Sequence, residues 1–171
     1  MERKILYAPW RHEYVNRNRE NDVKMPIKND CIFCHQVALA EDDKFFIIKR
    51  FKTCFVMMNK YPYNIGHLMV LPYDHISDLR ELKSEIRAEL FDIAALTLTA
   101  VEKALKAKGF NLGINMGVAG GGGIPSHLHL HILPRWFGDT NFLETIGEIK
   151  MLSSDIQIVY QMLKDEFKKL A

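Results

Sequence analysis

A run of three histidines that alternate with apolar residues constrains this chain more than any other feature of its sequence. The run reads Ser-His-Leu-His-Leu-His-Ile-Leu-Pro-Arg over residues 126–135. Alternate side chains of a β-strand point to the same face, so we predict a strand from His127 to Leu133 with all three imidazoles on one surface. Successive imidazoles would then lie about 7 Å apart, at a rise of about 3.3 Å per residue. Such a row could hold a metal ion, or supply a nucleophile flanked by groups that orient it and transfer protons.

A glycine-rich segment before the histidines favours a phosphate-binding function. Five glycines lie between Gly117 and Gly123, where backbone N–H groups can approach an anion closely. A glycine-rich loop alone is weak evidence, and a solvated edge strand is the ordinary alternative for a histidine. Three histidines in strict alternation directly after the loop favour phosphate chemistry over that alternative.

The hydrophobic pattern of the remaining chain predicts an α+β domain with a mainly antiparallel sheet. Apolar residues at helical spacing predict one long helix between Asp78 and Lys108, capped by Gly109, and a second helix from Asp155 to Leu170. No repeat or linker indicates a second domain, so we predict an N-terminal arm over residues 1–30 and a single domain over residues 31–171. Strands are predicted for the short β-rich runs at residues 45–48, 53–59, 67–71, 111–116 and 127–133.

Composition and charge argue against several partner classes. Hydrophobic residues make up 48% of the 171 residues, which is ordinary for a globular protein, and the net charge is only +2. That charge is too small to indicate nucleic acid or a membrane surface as the main partner. The first ten residues lack the apolar core of a signal peptide, and no stretch approaches the ~20 apolar residues of a membrane span. We therefore predict a cytoplasmic protein with neither a nucleic-acid nor a membrane partner.

The cysteines suit a metal site better than a disulfide framework. Of the three cysteines, Cys31 and Cys34 are two residues apart along the chain, the spacing of a zinc knuckle. One pair supplies only half of a tetrahedral site, and two buried cysteines are the alternative. Cys54 lies in an apolar run and is predicted to be a small core residue.

The histidine run resembles the signature of the histidine triad (HIT) superfamily. Residues 54–67 are similar to the family's ribose-binding strand and turn, with Asn59 at the position that holds the sugar hydroxyls, and Asn115 before the glycine loop also fits. The resemblance covers roughly residues 31–136 and implies a HIT-like fold with one long helix and a C-terminal helix. Trp136 and residues 138–142 resemble the branch of diadenosine tetraphosphate phosphorylases, or ATP adenylyltransferases, which stands beside the dinucleoside polyphosphate hydrolases.

The resemblance implies cleavage of a nucleotide phosphoanhydride through a nucleotidyl-histidine intermediate. The middle histidine, His129, would attack the α-phosphorus of a dinucleoside polyphosphate such as diadenosine tetraphosphate, and phosphate or water would resolve the intermediate. His131 would lie near the leaving oxygen, and His127 would complete the catalytic set. A nucleoside phosphoramidate hydrolase of the same superfamily and a non-catalytic, zinc-stabilised nucleotide-binding module are the alternatives.

The resemblance also implies nucleotide and metal contacts. Loop amides would bind phosphoryl oxygens, two residues of the cysteine knuckle would flank the base, and His67 would support the active strand or simply be packed. Trp136 could stack on a base or pack at an interface, and the protein is expected to be a homodimer. The implied nucleotide-binding residues are Ile32, Phe33, Asn59, His67, Asn115, Gly122, Gly123 and Trp136. The implied ligands of a structural zinc are Cys31, Cys34, His75 and His127, with His35 as a rival.

Overall fold

In the computed structural model of the protein, the described residues are 30–152 and 154–170. They form one five-stranded sheet and four α-helices, which confirms the predicted α+β class. The strands are β1 (Ile47–Arg50), β2 (Cys54–Met58), β3 (Leu68–Pro72), β4 (Gly109–Ile114) and β5 (Leu130–Arg135). The helices are α1 (Ile32–Ala38), α2 (Ser84–Leu105), α3 (Phe142–Ile146) and α4 (Ile156–Lys169). The predicted arm lies outside the described residues except for Asp30.

The sheet is antiparallel throughout and places the histidine run at its interior. Its strand order is β1-β2-β3-β5-β4, so β5 lies between β3 and β4. His131 is paired with Met69 on one side and with Gly113 on the other. The sheet thereby fixes the position of the last histidine from both sides.

Strands β2 and β3 are buried on both faces, because helices cover the sheet on each side. In β2, Cys54, Val56 and Met58 belong to the main core, which includes residues of α2 and α4. Phe55 and Met57, which alternate with them, belong to a second cluster that includes Phe33 of α1. The burial of Cys54 confirms its prediction as a core residue.

The same alternation assigns His131 to the face opposite the main core. Leu130 and Ile132 of β5 belong to the main core. His131 therefore faces the other way, as its pairing with Met69 of the second cluster also requires. His131 thus lies on the face of the sheet that α1 covers.

The predicted histidine strand begins later than expected. Strand β5 starts at Leu130, so His127 and His129 precede it instead of lying within it. The cause is hydrogen bonding outside the sheet, because the Leu128 N–H donates to the carbonyl of Ile76 at 2.6 Å.

Both long helices are present, and both boundaries of the longer one are corrected, since it begins at Ser84 and not at Asp78. The long helix ends at Leu105, and Lys106 adopts the left-handed conformation (φ 56°) that the sequence assigned to Gly109, which instead begins β4. Helix α4 begins as predicted, since the Asp155 carboxylate caps it by accepting from the N–H of Gln157 at 2.7 Å. Helices α1 and α3 were not predicted. No helix within the described ranges is both long and apolar enough to cross a bilayer.

Candidate active site

A cavity of about 510 Å³ opens between α1, β2 and the histidine run. Apolar side chains of the second cluster form its walls, and two histidines lie at one end. The predicted site residues that line it are Ile32, Phe33, Asn59, Gly123, His129 and His131. The volume is in the range of small-molecule binding sites.

His129 presents one nitrogen as a potential nucleophile. Its Nδ1 lies 2.7 Å from the backbone oxygen of His127, and a carbonyl oxygen can only accept, so Nδ1 carries the proton. The lone pair is therefore on Nε2. Burial lowers the pKa of His129, which favours the neutral imidazole, and the ring of Phe33 packs beside it with centroids 5.5 Å apart.

A chain of hydrogen bonds fixes the tautomer of His131. The backbone N–H of Tyr63 donates to Nδ1 of His67 at 3.2 Å, so the proton of neutral His67 is on Nε2. That Nε2–H donates to Nδ1 of His131 at 2.9 Å, which leaves the proton of neutral His131 on its own Nε2. The side-chain nitrogen of Asn115 lies 3.5 Å from this Nε2. His67, which is fully buried, thus hydrogen-bonds to the side chain of His131 on β5.

His127 is turned away from the cavity and toward the cysteines. Its Nε2–H donates to the carbonyl of Pro72 at 2.9 Å, and its Nδ1 lies 3.5 Å from Sγ of both Cys31 and Cys34. Nδ1 of His75 is 3.5 Å from Sγ of Cys34. Burial lowers the pKa of His127 to about 4, which favours the neutral form that metal binding requires.

These four side chains form a cluster that could hold a metal ion. Their ligand atoms all lie within 4.8 Å of one another. Tetrahedral zinc with Zn–S of about 2.3 Å and Zn–N of about 2.05 Å separates sulfur from nitrogen by about 3.6 Å. The observed S···N distances of 3.5 Å fit that geometry. His35, the rival ligand, is exposed on α1 and is not part of the cluster.

Four other predicted residues lie outside the cavity lining. His67 lies beside Nδ1 of His131 and Asn115 beside its Nε2, and Gly122 packs against Asn115, with 3.4 Å between the Asn115 Cβ and the position of a Cβ built on the glycine. Trp136 is not placed at the cavity, because its indole N–H donates to the carbonyl of Leu105 at 3.2 Å and its ring packs on the main core. Within this chain Trp136 therefore lies away from the cavity lining, and its role as a base-stacking or interface residue stays a prediction.

The sequence did not identify several residues of the cavity. Gln36 lies one helical turn after Ile32 on α1, and Lys44 lies before β1. A helical spacing of four residues from Ile32 would have identified Gln36 if α1 had been predicted.

The sequence of this chain is similar to those of known proteins. Residues 40–138 match the HIT domain family model, and the chain belongs to this family. The AP-4-A phosphorylase of Mycobacterium tuberculosis is 35% identical over 173 residues, which cover 97% of this chain and 82% of that protein. The asymmetrical bis(5'-nucleosyl)-tetraphosphatase of Schizosaccharomyces pombe is 32% identical over 89 residues, or 52% of this chain and 48% of that protein.

Solved structures share the fold. A Zn-bound histidine triad family protein from Mycobacterium smegmatis superposes with a TM-score of 0.70 at 24% identity, over 84% of this chain and 97% of that one. The HIT-like fold predicted from the resemblance is confirmed.

Proposed function

We propose that this chain is an enzyme that cleaves a dinucleoside polyphosphate by transferring a nucleotidyl group to His129. The observation that carries the proposal is the His129 imidazole, which lines the cavity while the carbonyl of His127 holds the proton on Nδ1. A neutral imidazole with a lone pair on Nε2 is a competent nucleophile near neutral pH. The names of the two relatives, a phosphorylase of AP-4-A and a bis(5'-nucleosyl)-tetraphosphatase, support the substrate class.

In the first step, Nε2 of His129 attacks the α-phosphorus. A P–N bond forms while the bond from that phosphorus to the bridging oxygen breaks, and the remaining nucleoside polyphosphate leaves with the electron pair. His131, with its proton on Nε2, donates a hydrogen bond to the leaving oxygen. In the second step, an oxygen of phosphate or water attacks the same phosphorus, and the P–N bond breaks to restore neutral His129.

Other residues of the cavity hold the substrate. The Asn59 amide is oriented by the backbone N–H of Tyr61, which donates to its Oδ1 at 2.9 Å, and would bind the ribose hydroxyls. Ile32 and Phe33 would flank the base. Backbone amides near Gly122 and Gly123 would bind the phosphoryl oxygens, where negative charge grows in the transition state.

We propose that the cysteine and histidine cluster binds a structural zinc ion. Cys31, Cys34, His75 and His127 supply two thiolates and two neutral imidazoles at distances that fit a tetrahedral site. Four protein ligands saturate zinc, so the metal would have no open position and would support the structure only. It would connect the start of α1 to the histidine run.

We also propose that the protein is a homodimer. In the described sheet, β4 is an edge strand that pairs with β5 alone, and edge strands invite pairing with another chain. Large apolar side chains on and after this strand are exposed, namely Leu112, Met116 and Val118. The predicted cytoplasmic location, and the predicted lack of nucleic-acid and membrane partners, stay predictions.

The decisive experiment is to trap the intermediate. Protein mixed with diadenosine tetraphosphate is quenched within milliseconds at alkaline pH, which preserves a phosphoramidate, and its mass is measured. We expect one acid-labile adenylyl adduct on the unmodified chain, none on His129→Asn, and a loss of kcat of about 10³-fold or more in that variant. His35→Asn is the matched control, because His35 is exposed and outside the cavity. Turnover by the unmodified chain with no adduct, or full activity of His129→Asn, would contradict the proposal.

The products separate the remaining alternatives. With diadenosine tetraphosphate, attack by phosphate yields ADP and attack by water yields AMP, each together with ATP. A phosphoramidate hydrolase would instead turn over a lysyl adenylate much faster than the tetraphosphate. A binding module without catalysis would hold nucleotide and form no adduct.

A further inference from the structure

The side-chain amide of Gln36 lies at the cavity with no assigned task. Helix α1 carries Ile32 and Gln36 four residues apart, so both side chains project from one face, and both line the cavity. Gln36 is half-buried. Among the residues that the structure describes, no hydrogen bond of its side-chain amide is found.

Much of the cavity lining is apolar, and besides Gln36 the polar side chains that line it are two lysines, Asn59, two tyrosines and the two histidines. Phe33, Met57 and Met69 present apolar surface, which suits the faces of a flat ring but does not distinguish one base from another. The Asn59 amide already accepts the N–H of Tyr61. An additional donor and acceptor, placed side by side, are what recognition of a base edge requires.

Lys44 is the rival for this task, and its surroundings make it a weaker one. Its ammonium group lies 2.5 Å from a carboxylate oxygen of Glu41, and both side chains are exposed. The amine also lies 5.3 Å from the ring centroid of Phe45. A cation that is paired with a carboxylate at the rim is better placed to attract the phosphates, which AMP and GMP share, than to contact the edge of a base.

We propose that Gln36 is the residue that selects adenine over guanine. This inference rests on the proposed function only in that the cavity binds a nucleotide. A glutamine amide matches the edge of adenine formed by N6 and N7, since its oxygen accepts from the N6 amine while its nitrogen donates to N7. Guanine presents two acceptors, O6 and N7, on the same edge, so the amide oxygen of Gln36 would face an acceptor.

Equilibrium binding of mononucleotides tests this without turnover. Kd values for AMP and GMP are measured by calorimetry on the unmodified chain and on Gln36→Met, which keeps the length of the side chain and removes both polar groups. We expect AMP to bind the unmodified chain roughly 10- to 100-fold more tightly than GMP, and this ratio to fall by about tenfold or more in Gln36→Met. Lys44→Met is the matched control, since it places the same residue in the same cavity and should leave the ratio unchanged.

A modified base identifies the contact itself. 7-Deaza-AMP lacks the N7 acceptor, so it should bind the unmodified chain about tenfold more weakly than AMP but bind Gln36→Met as AMP does. Gln36→Glu, which keeps an acceptor and loses the donor, should also weaken AMP binding. An unchanged AMP to GMP ratio in Gln36→Met, or equal binding of AMP and GMP by the unmodified chain, would overturn the inference.

The two proposals fail in different ways. AMP preference that depends on Gln36, together with absence of a nucleotidyl adduct, would overturn the catalytic proposal alone. A trapped adduct on His129 with an AMP to GMP ratio that does not respond to Gln36→Met would overturn this inference alone.

Discussion

The replacement Gly66→Ala tests how the turn before His67 is held against the core. Gly66 has a φ of +68°, in the left-handed region. A Cβ built on it would lie 2.5 Å from Cδ1 of Leu105, while Pro134 Cγ at 3.5 Å and Val159 Cγ1 at 4.0 Å are ordinary contacts. The turn therefore lies against the end of α2 at a distance that only glycine permits.

The loss of folding free energy expected for Gly66→Ala has two separable parts. Placing alanine in the left-handed conformation costs roughly 1–2 kcal/mol. Carbon atoms in contact prefer about 3.5–4.0 Å, so the end of Leu105 must move by at least about 1 Å, and overpacking of this kind costs about 1 kcal/mol when a flexible side chain can yield. We expect Gly66→Ala to lower the free energy of unfolding by about 2–3 kcal/mol.

A double-mutant cycle with Leu105→Ala separates the two parts. Removing the methyl groups of Leu105 abolishes the overlap but leaves the backbone conformation, so the cost of Gly66→Ala should fall to about 1–2 kcal/mol in that background. Urea unfolding, followed by circular dichroism, gives all four free energies. An equal cost of Gly66→Ala in both backgrounds would refute the argument from overlap, and a cost below about 0.5 kcal/mol would refute the argument from the backbone as well.

Two further predictions concern metal and pH. Cys31→Ser should reduce bound zinc well below one ion per chain, as measured by inductively coupled plasma mass spectrometry, and should lower the melting temperature. The control variant Cys54→Ala should retain the metal. Equal zinc content in the two variants would contradict the proposed ligands. The guanidinium of Arg135 pairs with the Asp139 carboxyl at 2.7 Å and holds the pKa of that carboxyl well below its usual range. The pair therefore stabilises the fold above about pH 4, and this stabilisation is lost as the pH falls further. Asp139→Asn should therefore lower the free energy of unfolding by about 2 kcal/mol at pH 7, as measured by urea unfolding. The difference in unfolding free energy between the two proteins should become smaller toward pH 2. A difference that does not change with pH would count against the ion pair.

Local patterning predicted the elements that bury apolar residues at a regular period. The alternating histidines indicated one chemical face, and the spacing of apolar residues indicated the long helix, because both signals extend over many residues. Helix α1 has only seven residues, too few for a helical period to stand out, and tertiary contacts stabilise it. Lys106 takes the left-handed position at the end of α2, where local preference favours glycine, so the local sequence did not reveal this helix end.

The residues of the candidate site likewise include some that a local sequence pattern predicted and others that it did not. His129 and His131 are near each other in sequence, so their shared face followed from strand geometry. The cluster of two cysteines and two histidines joins Cys34 to His75 across 41 residues, and only the resemblance to a family, not any local pattern, suggested that pairing. Gln36 was not identified because its position depends on a helix that the sequence did not reveal.

One residue of the histidine run serves two neighbours through different atoms. The ring of His127 meets the cysteine sulfurs, while its main-chain oxygen holds the imidazole of His129. Exchanging this side chain removes the ring from the cluster and leaves the main-chain oxygen on the chain, but without the ring's contacts that hold it in position. A loss of activity in such a variant would therefore not assign the effect to the cluster or to the catalytic imidazole. The role of the cluster is better tested at Cys34 or His75, which belong to the cluster and make no hydrogen bond to His129.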